Sequence, residues 1–390
     1  MKGNIRFKRT LALGLSALLL ATGCGQSGAG KGASSGKGEI TIASVNPMTG
    51  DSAQFGDIKV KAIEMAIEEF NEKDVLGGVK VKLAVGDDTG NPKEAPNVAQ
   101  KFASDKNILA LIGHWNSSCT LAARNIYEQA GLPVITDSVN KAITDGSTPH
   151  LFRISLTDTA QAESLADYAY NVAGKRKAAI LYTANDFGTG LMNDFTAKFT
   201  ALGGEVTASE TYFEGQSKDF SPQITKIKEK NPDLLFVAGY YVETALIAQQ
   251  AKASGLDIQI LGTDGISSEE LIKLGGDAVE GILFGAFFHP DVEFSGTKEF
   301  TEKFVAKYGK NPDTYAALAY DSAKIILAAI EKYGAEVTRE QITEYIKGAQ
   351  DFPGVAGPIT FKDNDVTRGV IVVTVQNGKF VPSEKQLGKE

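Results

Sequence analysis

The hydrophobic pattern of the chain alternates between short apolar runs and amphipathic segments. Short β-branched or apolar runs predict strands, over residues 40–45, 79–85, 108–112 and 133–136. Apolar residues at helical spacing predict helices between them, over residues 57–71, 93–105 and 119–130. Strands separated by helices of this length pair in parallel through right-handed crossovers, so the first part of the chain predicts an α/β sheet.

The same alternation begins again after residue 154. It predicts strands over residues 178–182, 205–212, 234–238 and 259–262, and helices over residues 160–173, 188–202, 220–231 and 243–254. Three further helices are predicted late in the chain, over residues 298–308, 316–333 and 339–347. Two successive α/β sheets are the simplest interpretation.

The N-terminal segment does not follow this pattern. Basic residues precede an apolar stretch at 11–21, and a Leu-Ala-Thr-Gly-Cys run ends at Cys24, as in a secretory signal. The run resembles a bacterial lipobox, in which Cys24 would be diacylated and become the N-terminus after cleavage of residues 1–23. An ordinary signal peptide with an incidental cysteine is the alternative, whereas a transmembrane helix needs ~20 apolar residues. Residues 24–38 are almost wholly Gly, Ser, Ala and Lys and predict a flexible tether.

Size and composition indicate a two-lobed globular protein. About 350 residues remain after the tether, more than one hydrophobic core usually contains. The formal net charge of −8 argues against nucleic acid or an anionic membrane surface as a partner, because both need a basic footprint. If Cys24 is acylated, the second of the two cysteines, Cys119, has no disulfide partner. We interpret Cys119 as a small buried side chain rather than a reactive nucleophile.

Candidate binding residues follow the predicted strands. Ligands of open parallel sheets bind beyond the carboxyl ends of the strands. The loops 113–120 and 137–140 lie at such ends and carry small hydrogen-bonding side chains that suit a small anionic group. Asp264 follows another strand, where it can meet a ligand cation, and Tyr240 can stack on a ligand. Each has a structural alternative, as a helix cap, a turn residue or a cover for the sheet edge.

Several motifs, in order along the chain, resemble one protein family. They are Pro-Met-Thr-Gly-Asp-Ser-Ala-Gln-Phe-Gly at 47–56, Asp-Asp-x-x-Asn-Pro at 87–92, Ile-Gly-His at 112–114 before two serines, Asp-Phe-Gly at 186–188 and Val-Glu-Gly at 279–281. Together they resemble the leucine/isoleucine/valine-binding proteins, which are type I solute-binding proteins of ABC importers. The resemblance covers residues 39–380.

The resemblance implies a fold and a biological setting. It implies two doubly wound α/β lobes with parallel central sheets, joined by three crossovers and closing on a ligand between them. Lobe 1 would comprise residues 39–157 and 288–365, and lobe 2 residues 158–287 and 366–390. The implied protein is a monomeric, extracytoplasmic lipoprotein that captures an amino acid, branched-chain or other small aliphatic, and delivers it to an ABC permease and ATPase.

The resemblance also assigns binding roles to residues. A serine of the first loop, here Ser117, would hold the ligand carboxylate, while Tyr240 and Asp264 would close on the ligand from lobe 2. The second loop would bind the carboxylate and ammonium through Ser138, Val139 and Asn140. The family pattern is altered at several wall positions, because Phe55 and Phe187 replace tyrosines and Trp115 is bulky. Asn140 stands for a threonine and Asp264 for a glutamate, so the preferred ligand side chain does not follow.

A binding protein explains these features better than an enzyme does. The histidines His114, His150 and His289 form no His-Glu-x-x-His zinc pattern. We interpret His114 as a packing residue of its loop rather than a general base, and the acids at 87–88 and 363–365 as turn and cap residues rather than cation sites. No metal, cofactor or catalytic residue is expected. A sensor that signals to a membrane receptor is the alternative to a transport protein.

Overall fold

The computed structural model describes residues 38–388. The predicted signal peptide, Cys24 and the tether up to residue 37 lie outside the described residues. The strands are β1 (Glu39–Asn46), β2 (Lys80–Asp87), β3 (Ile108–Gly113), β4 (Val134–Thr136), β5 (Leu151–Arg153), β6 (Lys177–Thr183), β7 (Glu205–Tyr212), β8 (Leu234–Ala238), β9 (Gln259–Gly262), β10 (Leu283–Ala286), β11 (Phe361–Lys362), β12 (Asp365–Val366), β13 (Ile371–Gln376) and β14 (Lys379–Pro382).

Helices cover the faces of the sheets. They are α1 (Ala53–Glu72), α2 (Ala95–Ser104), α3 (Ser117–Ala130), α4 (Asp158–Asp167), α5 (Asp186–Ala201), α6 (Ser221–Glu229), α7 (Tyr241–Ala253), α8 (Glu269–Gly275), α9 (Thr297–Tyr308), α10 (Thr314–Tyr333) and α11 (Arg339–Lys347). No helix within residues 38–388 is long and apolar enough to cross a membrane.

The strands form two seven-stranded sheets. The order is β11-β12-β5-β4-β3-β1-β2 in the first sheet and β14-β13-β10-β9-β8-β6-β7 in the second. The strands β1 to β5 pair in parallel, as do β6 to β10, and the late strands β11, β13 and β14 pair antiparallel. The prediction of two α/β lobes with parallel central sheets is therefore confirmed.

The chain passes between the sheets three times. It leaves the first sheet after β5, returns after β10 and crosses again between β12 and β13. We call the first sheet with the helices α1 to α3 and α9 to α11 lobe 1, because α10 packs on α1 and α11. Lobe 2 is the second sheet with α4 to α8, in which α4 packs on α5 and α7 on α8. Ligands of such sheets bind where the strand order reverses, at the carboxyl ends of the strands.

The late strands were not part of the sequence prediction. Phe361–Lys362 and Asp365–Val366 are only two residues long, and Leu283–Ala286 pairs with a strand that begins at Ile371. Local periodicity does not show pairing between segments so far apart in sequence. Cys119 is a free thiol and fully buried in lobe 1, as predicted.

Candidate ligand-binding site

The predicted site residues come together in the cleft between the lobes. Lobe 1 contributes residues of α1, of the loop between β3 and α3, and of the loop after β4; lobe 2 contributes the residues that follow β6, β8 and β9. All are buried except Asn140, which is partly buried: Phe55, Trp115, Ser117, Ser138, Val139, Phe187, Tyr240 and Asp264. Tertiary structure thus gathers strand-end residues from both sheets at one place.

Ser117 and Asn140 lie side by side on lobe 1. Ser117 is the first residue of α3, and its hydroxyl accepts a hydrogen bond from the backbone N–H of Asn140 at 3.3 Å. The Asn140 amide oxygen caps the N–H of Ala142 at 3.0 Å, while its amide nitrogen donates to the Asp186 carbonyl of lobe 2 at 3.0 Å. Its side chain therefore has partners on both lobes, and the Ser117 hydroxyl remains able to donate.

Ser138 and Val139 hold the second loop of lobe 1 in place. The Ser138 hydroxyl lies 3.0 Å from the backbone carbonyls of both His114 and Trp115, and 2.7 Å from the Thr120 hydroxyl. The Val139 carbonyl accepts the N–H of Asp158 at 2.6 Å. These contacts join the two strand-end loops to each other, so Ser138 positions the loops around the ligand site.

Asp264 is a buried carboxylate with neutral hydrogen-bond partners. Its Oδ1 accepts from Gln161 Nε2 at 2.9 Å, and its Oδ2 accepts from the Tyr315 hydroxyl of lobe 1 at 3.1 Å. Burial raises the pKa of Asp264 to about 6, although the bonds from Gln161 and Tyr315 partly offset this effect. The nearby Asp137 carboxylate is already paired with Lys59 at 2.6 Å. Within the described residues, Asp264 therefore has no cationic side chain as an ion-pair partner.

Sequence analysis did not identify Gln161 and Tyr315. Gln161 lies in the first turns of α4 and is fully buried; its Oε1 has no partner within residues 38–388. Tyr315 lies in the first turn of α10, which begins where Asp313 accepts the N–H of Ala316 at 2.9 Å. They are 103 and 51 residues from Asp264 in sequence, so no local motif links them to it.

Four aromatic rings form a continuous row of contacts across the cleft, which we call the aromatic column. Phe55 stacks on Trp115 with ring centroids 4.3 Å apart, and Trp115 contacts Tyr240 of lobe 2 at 5.0 Å. Tyr240 stacks on Phe187 at 5.1 Å. Phe187 is fixed in the first turn of α5, because the Asn185 side chain accepts the N–H of Gly188 at 3.0 Å. The column supplies an apolar wall to the site.

Hydrogen bonds at the rim join the two lobes. The Ser118 hydroxyl donates to Asp186 at 2.6 Å, and the Tyr241 hydroxyl donates to the Asp51 carbonyl at 2.7 Å. The Ser52 hydroxyl donates to Glu214 of lobe 2 at 3.3 Å. These contacts show the cleft in a closed arrangement.

Glu214 is an acid with no ion-pair partner inside the described chain. Its second oxygen accepts from Asn185 at 3.2 Å. Burial, reinforced by the nearby Glu243 carboxylate, raises the pKa of Glu214 to about 8. The hydrogen bond from Ser52 partly offsets this rise, and it places the Glu214 carboxyl group where the two lobes meet.

Other polar candidates have structural roles. His114 is fully buried, with Nδ1 2.5 Å from Asp88 and Nε2 2.8 Å from the Tyr127 hydroxyl, which confirms its packing role. Asp87 accepts the N–H groups of Met48 and Thr89, as expected of a turn residue. Asp365 pairs with Arg153 at 2.8 Å. Within residues 38–388, no group of three His, Cys, Asp or Glu side chains is arranged to hold a metal ion.

Comparison with characterised proteins gives consistent relatives. The periplasmic binding protein family model matches residues 39–379. The Leu/Ile/Val-binding protein homolog 2 of Brucella abortus is 31% identical over 328 residues, covering 83% of this chain and 86% of the relative. The leucine-, isoleucine-, valine-, threonine-, and alanine-binding protein of Pseudomonas aeruginosa is 30% identical over 327 residues, covering 83% of this chain and 86% of the relative.

Solved structures agree with the sequence relatives. The leucine-binding protein LivK of Thermotoga maritima superposes with a TM-score of 0.82 at 34% identity, covering 89% of this chain and 98% of LivK. LivJ of Streptococcus pneumoniae, in complex with isoleucine, gives a TM-score of 0.82 at 29% identity, covering 89% of this chain and 99% of LivJ. These matches identify a solute-binding protein that works outside the cytoplasm, not an enzyme. The chain belongs to the periplasmic binding protein family, as a type I member of its leucine/isoleucine/valine-binding group.

Proposed function

We propose that this protein captures an amino acid, branched-chain or other small aliphatic, between its lobes and delivers it to an ABC importer. The observation that carries the proposal is the buried Asp264 carboxylate, which has neutral partners and lacks a cation within the described chain. A buried carboxylate of this kind is stabilised when a ligand ammonium pairs with it. The ligands named for the relatives support this ligand class, since they include leucine, isoleucine, valine, threonine and alanine.

The two ends of the ligand would be held by different lobes. The Ser117 hydroxyl and the second loop of lobe 1, with Asn140, would hold the α-carboxylate, and Asp264 of lobe 2 would hold the ammonium. Ser138 and Val139 would act by positioning that loop, because their polar groups already bind neighbouring backbone and side-chain atoms. The aromatic column would contact the ligand side chain.

Calorimetric titration with the common L-amino acids tests the proposed function. We expect saturable one-to-one binding of at least one aliphatic amino acid to the purified protein. The corresponding amino alcohol lacks the carboxylate and should bind much more weakly, because the Ser117 end of the site would lose its partner. If no amino acid binds, the proposal is wrong.

Ligand binding should close the lobes. An amino acid that contacts Ser117 on lobe 1 and Asp264 on lobe 2 stabilises the closed form by its differential affinity for that form. Small-angle scattering should therefore show a smaller radius of gyration after saturating ligand is added. An unchanged radius at saturation would count against closure as the binding mechanism.

Binding should weaken as pH rises, because of Glu214. Its pKa is about 8 in the closed form and should fall toward the ordinary value when the cleft opens to water, so the proton stabilises closure. That stabilisation is lost as pH rises through about 8, because Glu214 then ionises near the Glu243 and Asp51 carboxylates. We expect the affinity to fall about tenfold between pH 7 and pH 9.

A pair of variants checks this assignment by titration calorimetry at each pH. Glu214→Gln should abolish most of the pH dependence, because the amide does not ionise, while its oxygen can accept from Asn185 and its nitrogen can donate to the Ser52 hydroxyl. Glu210→Gln is the matched control, since Glu210 lies on β7 in an exposed pair with Lys226. An equal slope in wild type and Glu214→Gln would remove Glu214 as the cause.

We also propose that the protein is anchored by a lipid on Cys24 at the outer face of a membrane. The Leu-Ala-Thr-Gly-Cys run supports this proposal. Cys24→Ala should give a protein without acyl chains whose amino-acid affinity is unchanged, because the tether predicted over residues 24–38 would separate the anchor from the lobes. Intact-mass spectrometry of the native mature protein measures the modification, and a mass without acyl chains would refute it.

A further inference from the structure

Trp115 occupies the centre of the aromatic wall. Its indole is stacked on Phe55 at 4.3 Å, contacts Tyr240 at 5.0 Å and meets Tyr315 edge-on at 5.6 Å. These three rings come from α1, from the loop after β8 and from α10, so they surround the indole from both lobes. Phe55 and Tyr315 also contact each other at 4.9 Å.

The ring separations are those of direct contact. Aromatic pairs pack with centroids about 4.5–7 Å apart, so no carbon atom fits between rings at these distances. Phe55 is fully buried and Trp115 is 6% exposed. The space enclosed by the three surrounding rings is therefore filled by the indole.

The backbone on either side of the indole is fixed. The Trp115 carbonyl accepts from Ser138 at 3.0 Å, and the preceding His114 is held by Asp88 and Tyr127. On lobe 2, a side chain at Gly265 would meet the Gly239 carbonyl at 2.5 Å and the Phe187 and Tyr240 rings at 3.1 Å. In the closed arrangement, the loops next to Trp115 cannot move away from the indole without disturbing close-packed neighbours.

We infer that Trp115 sets the ligand size, so that the cleft prefers amino acids with a very small side chain, such as glycine, L-alanine and L-serine, over leucine and isoleucine. The inference rests on the proposed function and narrows its substrate class. A leucine side chain carries three more carbon atoms than alanine and would have to displace a buried indole. A single methylene at an apolar pocket already changes affinity by about 10- to 200-fold.

The effect of Trp115 on the relative affinities for small and large amino acids can be measured by calorimetric titration. The wild-type protein is titrated with glycine, L-alanine, L-serine, L-leucine and L-isoleucine, and we expect at least tenfold tighter binding of L-alanine than of L-leucine. Trp115→Leu should reverse this order, because it frees space next to Phe55 and Tyr240. Trp115→Phe, a smaller change, should reduce the preference without reversing it.

The control variant replaces a buried aromatic ring that lies outside the cleft. Phe361→Leu removes a buried ring that packs on Phe152 in lobe 1, away from the cleft, and should keep the wild-type order of ligands. Wild-type protein that binds L-leucine as tightly as L-alanine would overturn the size rule and leave the proposed function standing. Failure of every common L-amino acid to bind would overturn both.

Discussion

Replacing Asp264 with alanine is expected to weaken binding of the best amino-acid ligand by about 2–5 kcal/mol, or about 30- to 4000-fold. In the closed cleft the ligand ammonium is cut off from water, so loss of the carboxylate leaves a buried charge without its counter-charge. Asp264→Asn should lose most of the same affinity, because it keeps the size of the side chain and removes its charge. Titration calorimetry with the same amino acid measures both variants.

The melting temperature of the unliganded variants distinguishes a binding role for Asp264 from a structural role. In the closed arrangement burial raises the pKa of Asp264 to about 6, so without a ligand its ionised form disfavours closure, and this cost is fully present once pH rises above about 6. Asp264→Asn should therefore raise the melting temperature of the unliganded protein at pH 7.5 while it weakens binding. Asp257→Ala, at an exposed position of the same lobe, should change neither quantity. Affinity of Asp264→Ala within threefold of wild type would remove Asp264 from the site.

Loss of the buried lysine at the base of the cleft should have the largest effect on stability. Lys59 of α1 pairs with Asp137 at 2.6 Å, and their side chains are 1% and 2% exposed. Lys59→Ala leaves the Asp137 carboxylate buried and unpaired, which should reduce the free energy of unfolding by about 3–5 kcal/mol at pH 8. Urea unfolding followed by circular dichroism measures this loss.

The pH dependence of the free energy of unfolding of Lys59→Ala tests whether the unpaired Asp137 carboxylate causes the loss of stability. Burial raises the pKa of Asp137 even beside Lys59, and without the lysine it must rise further. The variant should therefore be destabilised less at pH 5 than at pH 8, since a protonated Asp137 carries no charge. Lys61→Ala is the matched control, because Lys61 forms a partly exposed pair with Asp57 one turn along α1; it should cost at most about 0.5 kcal/mol. A similar small loss for Lys59→Ala would contradict the argument.

Sequence rules located the parts of the site that follow strands. Ser117, Tyr240 and Asp264 each lie just beyond the carboxyl end of a strand, and parallel sheets bring such ends to one edge. The resemblance added Phe55 and Phe187, and the structure places both in the aromatic column. What could be predicted was therefore which loops line the cleft.

The remaining site residues depend on long-range packing. Gln161 lies within a helix, and Glu214 meets Ser52 across 162 residues of sequence. Helical periodicity explains why Gln161 faces inward and says nothing about its partner. The central position of Trp115 likewise depends on three rings that come from both lobes. Contacts of this kind are fixed by the docking of the lobes, which no local pattern encodes.

The three passages of the chain between the sheets affect the order in which the lobes can fold. Sheet 1 is completed by β11 and β12, and sheet 2 by β13 and β14, all within the last thirty or so residues of the chain. A chain synthesised from its N-terminus therefore has neither sheet complete until its C-terminal segment has been made. Until then β10 lacks the strand that pairs with it at Leu283–Ala286. Because pairing between segments so distant in sequence forms slowly, we expect completion of the two sheets to be a late step in folding.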